Sequence, residues 1–249
     1  MDSLLPAQLD VTSALILIAI SFVTSTISAS FGLGGGVAML IALLSLTPPV
    51  IAIPVHAVIQ IGSNAGRAAM LRKHIMPDIV GWFVPGIILG ILIGSQIFFS
   101  LLTNWLQIVL ALFILWSVWA PKFRARKINT RSYFLVGAVT SFGAMFLGAT
   151  GPLLGAFLSP DRYGRDATVS THAVCMTFQH AIKVVAFGFM GFVLLEWIPL
   201  VAAMIASGFI GTLAGGSVLR KIPESTFKII FRTVLSVLAV RLLYKAVFT

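Results

Sequence analysis

Long apolar stretches separated by short polar ones dominate this chain. They run from Val11 to Leu46, Val50 to Leu71, Ile79 to Leu102, Trp105 to Ala120, Tyr133 to Leu158, Thr168 to Leu195, Ile198 to Leu219 and Phe227 to Phe248. A bilayer core about 30 Å thick takes roughly 20 apolar residues per helical crossing, so this pattern predicts an all-α integral membrane protein. Two runs do not fit a single crossing. The first would reach about 54 Å as one helix, and Phe31-Gly32-Leu33-Gly34-Gly35-Gly36 interrupts it. Its counterpart, Tyr133 to Leu158, is interrupted at Gly148-Ala149-Thr150-Gly151-Pro152.

The two breaks belong to an internal duplication. Aligning Gly36 with Gly151 sets His56-Ala57-Val58 on His172-Ala173-Val174, Asn64 on His180 and Arg67 on Lys183 after a one-residue adjustment. Further on, Gly86, Gly90 and Gly94 match Ser207, Gly211 and Gly215, a ladder of small residues that lets helices approach closely. The chain thus divides into a first membrane repeat over residues 1–121, a basic linker over 122–131 and a second membrane repeat over 132–249.

Loop charges choose between a parallel and an inverted relation of these halves. If each broken run is a hairpin that enters and returns on one side, then Arg72, Lys73, Lys122, Arg124, Arg126, Lys127, Arg131, Arg162, Arg165, Arg220, Lys221, Lys228 and Arg232 share one face. Only Arg241 and Lys245 fall on the other. If each broken run crosses fully, the same cations spread over both faces. The positive-inside rule therefore favours inverted repeats, each a glycine-broken re-entrant hairpin plus three transmembrane helices, with both termini outside and the linker cytoplasmic. Met1 to Asp10 carry two acids and no Lys or Arg, unlike the basic leader of a signal peptide, so the first run is read as part of the fold.

Composition agrees: 59% of residues are hydrophobic and 10% charged, too few to cover a soluble surface. A formal charge of +10 would suggest nucleic acid in a soluble protein, but here the cations lie in short loops facing lipid headgroups. The expected partners are therefore the bilayer and a small solute, with no nucleic acid. Cys175 is the only cysteine and sits in an apolar run, so neither a disulfide nor a cysteine metal site is expected. The histidines have no Cys, Asp or Glu at ligand spacing, so no metal or other cofactor is expected either. With no recognisable nucleophile–base motif, no catalytic residue is assigned and the chain is not read as an enzyme. No phosphate-binding glycine loop is present, so an ion gradient or the solute's own gradient would drive transport.

The informative polar groups lie inside the apolar runs. His56, Gln60, Ser63, Asn64 and Arg67 recur at steps of three and four, which puts them on one stripe of a helix. Thr168, His172, Thr177, Gln179, His180 and Lys183 are the polar set of the matching run. Each stripe ends in a cation, while Asp78, Asp161, Asp166, Glu196 and Glu224 all lie at run ends or in loops. A lone charge at membrane depth costs at least about 2.5 to 3.5 kcal/mol, so Arg67 and Lys183 call for a partner, and an exchangeable anion is a natural one. Arg67, near the end of its run, has the alternative of snorkelling to the surface. Backbone N–H groups freed at Gly34, Gly35 and Gly36, and at Thr150 and Gly151, would start half-helices whose dipoles favour an anion. These groups, with Gln60, Asn64, Thr177, Gln179 and His180 as hydrogen-bond donors, form the candidate substrate site. His56, His172 and His180 are candidates for proton coupling.

The pattern resembles the sulfite exporter TauE/SafE family of bacterial and archaeal inner-membrane proteins. The likeness rests on Phe31 to Gly36, the downstream Pro48 and Pro54, the polar run through His56, Asn64 and Arg67, and its repetition around Gly148 to Pro152 and His172 to Lys183. In the second repeat Gly148-Ala149-Thr150-Gly151-Pro152 replaces two of the glycines usual in the family. The resemblance implies transport, by export, of sulfite, sulfonates and related sulfur anions across the cell inner membrane, and self-association is compatible with it. A passive anion channel and a non-transporting membrane scaffold are the alternatives.

Overall fold

The computed structural model describes residues 5–6, 9–31, 34–98, 100, 103–119, 128–158, 160–218 and 224–248, and no strand occurs among them. In chain order the helices are α1 (Val11–Phe31), α2 (Gly35–Leu46), α3 (Pro49–Met70), α4 (Pro77–Phe98), α5 (Thr103–Trp119), α6 (Tyr133–Leu147), α7 (Gly151–Phe157), α8 (Pro160–Tyr163), α9 (Arg165–Phe189), α10 (Ile198–Val218) and α11 (Glu224–Phe248). The apolar runs are thus helices, and both long runs break where their glycines stand. Gly32, Leu33, Lys122 to Lys127, Arg220 and Lys221 lie outside the described residues.

Local chemistry accounts for the helix ends. Asp10 accepts from the Ser13 amide at 2.9 Å at the start of α1, and the Ser13 hydroxyl together with that amide holds its carboxyl below the usual range. Pro49 opens α3, where its missing N–H costs nothing. Gly34 (φ 105°) stands before α2, and Gly148 (φ 67°) ends α6; both are backbone conformations that side-chain-bearing residues rarely adopt.

Packing follows the small residues. The most extensive contacts are α4 on α6 and α1 on α10, followed by α3 on α9 and α5 on α11. Exchanging the halves turns the first pair into the second and maps the other two onto themselves. On α4, a Cβ at Gly86 would collide with the Phe134 carbonyl and one at Gly90 with the Ala138 carbonyl, so α6 lies directly against the predicted ladder. The α1 and α10 pair is cross-linked by Ser21 Oγ donating to the Met204 carbonyl (2.7 Å), Ser207 Oγ to the Ile18 carbonyl (2.8 Å) and Thr26 Oγ1 to the Gly211 carbonyl (2.9 Å). Such bonds hold helices together where lipid removes the hydrophobic drive.

The outward faces are apolar: Leu92, Leu135, Val139, Leu213 and Val237 are all well exposed. Val11–Ala29, Pro77–Phe98 and Leu195–Ala214 are long and apolar enough, by length and composition, to cross a membrane. Helices α3 and α9 have the length, 22 and 25 residues, but carry the polar stripes. The 12-residue α2 reaches only about 18 Å, and α7 has seven residues.

Candidate functional site

Helices α3 and α9 run side by side through the centre and aim their polar stripes at the two breaks. His56 Nε2 donates to the Gly36 carbonyl at 2.9 Å, and His172 Nε2 donates to the Gly151 carbonyl at 2.9 Å. The two histidines and two glycines that the duplication aligned therefore make the same bond in both halves. Because a carbonyl only accepts, Nε2 carries the hydrogen in each ring.

Beyond that shared pin the halves differ. In the second, Lys183 is fully buried and its Nζ donates to the Gly148 carbonyl (2.9 Å) and the Ala144 carbonyl (3.4 Å), the last turn of α6. A cation there also meets the negative end of the helix dipole. Gln179 accepts from Thr150 Oγ1 at 3.0 Å and donates to Ser141 Oγ at 2.8 Å. Thr177 Oγ1 donates back to the Ala173 carbonyl of its own helix at 2.8 Å.

In the first half the matching side chains are not spent in this way. Arg67 donates to the Ser63 carbonyl (3.3 Å) and to Asn64 Oδ1 (3.0 Å), two of its five donors, and meets no carboxylate among the described residues. Asn64 Nδ2 donates to the Gln60 carbonyl at 2.8 Å. The Gln60 amide has no hydrogen-bond partner among the described residues; it lies where a Cβ on Gly36 would be.

Between the breaks is a cavity of about 40 Å³, enough for a few waters or one small ion. Of the predicted residues, Gly34, Gly36, Gln60, Asn64, Arg67, Gly151, His172 and His180 line it. His180 makes no hydrogen bond to the described residues, its Nδ1 is buried without a partner, and its ring meets that of His56 edge-on at 5.7 Å. His56 Nδ1 is likewise buried and unpartnered. Gly35, His56, Thr150, Thr177, Gln179 and Lys183 are not part of the lining. Gly35 instead packs against α1, where a Cβ would strike the Thr24 carbonyl.

Sequence reasoning missed Ser28, Val37, Ala149, Pro152 and Met176 as lining residues. Met176 was within reach, since it sits one helical turn from both His172 and His180. Ala149 and Pro152 belong to the break motif itself. No group of three or more metal-ligating side chains occurs among the described residues.

The match to a family model decides what this architecture belongs to: the model described as sulfite exporter TauE/SafE covers residues 17–242. The chain belongs to the sulfite exporter TauE/SafE family. It is therefore a membrane protein of a transporter family, and both breaks and both polar stripes fall inside the matched region. No curated protein and no solved structure matches the chain.

Proposed function

We propose that this TauE/SafE member is a secondary transporter, working as an exporter, that carries small sulfur oxyanions such as sulfite or organosulfonates by alternating access. The observation that carries the reading is Arg67, a guanidinium facing a cavity built from both halves, with no carboxylate opposite it among the described residues. A charge at membrane depth costs at least about 2.5 to 3.5 kcal/mol unless it is compensated, and an oxyanion on the guanidinium fork compensates it. Around it, Gln60, Asn64 and His180 offer polar contacts, and the starts of α2 and α7 at Gly34 to Gly36 and at Gly151 offer backbone N–H groups. Lys183, Gln179 and Thr150 act from behind the second break by holding it in place, and the Lys183 charge adds to the positive field.

In this reading the halves are inverted repeats, α1–α2 and α6–α7 are re-entrant, both termini face outside, and the halves rock about the cavity in the inner membrane. Of the three histidines, His180 carries the coupled proton, because His56 and His172 already use Nε2 to pin glycine carbonyls. A proton on His180 would face Arg67, Lys183, His56 and His172, so it is tolerated only with the anion present, and in export proton and anion move together down the solute's own outward gradient.

The test is sulfite flux into proteoliposomes across a pH gradient. Wild type should show saturable flux accompanied by proton movement. Arg67→Gln should lose it by about 100-fold, and His180→Gln should lose proton coupling. Unchanged flux in Arg67→Gln would overturn the site, and flux that never saturates would replace the transporter by a channel.

A further inference from the structure

Arg67 borders a second, wider space of about 470 Å³ between α1, α3 and α10, as well as the small cavity. The wider space is half open toward the outside of the bundle, where Met70 and Phe209 on its rim are 63% and 51% exposed. In a membrane protein that outside is hydrocarbon, as apolar as the Ile59 and Ile205 side chains of the wall, so lipid rather than water fills such a groove. The groove is written into the sequence of one half. A Cβ at Gly66 would find nothing nearer than Phe209, 3.9 Å away, whereas on the duplicated helix α9 the positions matching Gly62 and Gly66 hold Phe178 and Ile182.

Volume and charge say which lipid. At roughly 30 Å³ for a group the size of a water or a methylene, the groove has room for about fifteen such groups, one acyl chain rather than two. Arg67 stands one turn before the end of α3 at Met70, about 5 Å along the axis, so its long side chain reaches the headgroup layer, and exposed Arg72 and Lys73 follow at that end. Two of its five donors are used, and it meets no carboxylate among the described residues. Between turnovers, with no anion in the small cavity, its charge still needs a counter-charge. The phosphate of an anionic lipid supplies one from the bilayer side.

We infer that the groove is a lipid site: one acyl chain of an anionic phospholipid lies beside Gly66 between α1, α3 and α10, with its phosphate on Arg67, where it competes with the transported anion. The competition rests on the transport reading above; the lipid site does not.

Native mass spectrometry of the delipidated full chain, titrated with phosphatidylglycerol and phosphatidylcholine of equal chain length, tests it. Wild type should take up one phosphatidylglycerol about fivefold more tightly than phosphatidylcholine, the preference that one cation at headgroup depth gives. Arg67→Gln should bind the two alike. Gly66→Leu should lose the tight site for both, and Gly66→Ala, whose added methyl meets no close neighbour and so keeps the fold, should lie in between. Sulfite titration in nanodiscs is the second arm: the apparent Kd should be higher in phosphatidylglycerol than in phosphatidylcholine, and Gly66→Leu should narrow the difference to what surface charge alone produces. Equal uptake of the two lipids by wild type, or uptake unchanged in Gly66→Leu, would overturn the site. So would a dimer carrying no lipid, which would put a second copy of the chain in the groove. A discrete phosphatidylglycerol site without sulfite binding in either nanodisc removes the transport reading and leaves the lipid; sulfite binding with no such site removes the lipid and leaves the transporter.

Discussion

Adjacent glycines in the first break have different jobs. A methyl at Gly35 would run into the backbone carbonyl of Thr24, which cannot move without shifting α1, whereas a methyl at Gly36 would meet only the tip of Gln60. Gly35→Ala should therefore lower stability by about 1 to 3 kcal/mol, seen as a fall in the unfolding midpoint. Gly36→Ala should unfold almost as wild type does, yet lose anion flux as the Gln60 amide is displaced from the cavity. Equal stability loss in both would refute this division. The two intramembrane cations separate similarly. Lys183→Met leaves the Gly148 carbonyl without its donor and should destabilise by about 1 to 3 kcal/mol. Arg67→Gln breaks only bonds within its own helix and should cost less than about 1 kcal/mol while removing anion binding. Thermal unfolding and anion titration on the same samples decide it.

At the level of elements, close helix contact rather than side-chain interlocking sets the pairing of α4 with α6. Gly90→Val would push a branched side chain at the Ala138 carbonyl and should weaken the fold more than the same change at Gly81, where an added Cβ meets nothing. Comparable midpoints for the two variants would show that α6 has room to withdraw. His56 and His172 each pin the start of a half-helix, α2 and α7, so His56→Ala and His172→Ala should each loosen one break and increase amide exchange there, the second less because Gln179 and Lys183 also hold it. The apolar runs and their breaks were legible because hydrophobic length and glycine placement are properties of the chain alone. The histidine–glycine pairing falls on positions that the alignment of the halves had matched, His56 with His172 and Gly36 with Gly151, whereas aligned Arg67 and Lys183 make different contacts.

For the whole molecule, the decisive quantity is the side of the membrane on which each loop lies. Cys175 is buried, so on a Cys175→Ala background new cysteines report exposure without interference. If α1–α2 and α6–α7 both turn back, an impermeant maleimide added outside intact cells should label Ser100→Cys and Leu195→Cys and spare Lys73→Cys, Arg131→Cys and Arg165→Cys. Labelling that separates Arg165 from Arg131 would mean that α6–α7 crosses, and the inverted relation would fall with it. The same geometry bears on coupling: if the anion supplies the only compensation for a proton on His180, sulfite binding should tighten as pH is lowered in wild type and lose that dependence in His180→Gln.

Sequence by itself determined that the chain is helical and apolar and where both long runs break, because hydrophobic length and glycine runs need no third dimension. It also singled out the polar residues gathered at the small cavity from α3 and α9, since helical periodicity places them on one stripe, but not Met176 between them. Only the tertiary structure decided how those side chains are used. Lys183 answers the carbonyls at the end of α6 and Gln179 ties Thr150 to Ser141, while Gln60, Asn64 and Arg67 line the small cavity. Which polar atom answers which buried carbonyl depends on distances of about 3 Å between segments far apart in the chain. The half-open apolar space of about 470 Å³ beside Arg67 was likewise invisible in the sequence, because it is a property of how α1, α3 and α10 pack and not of any one of them.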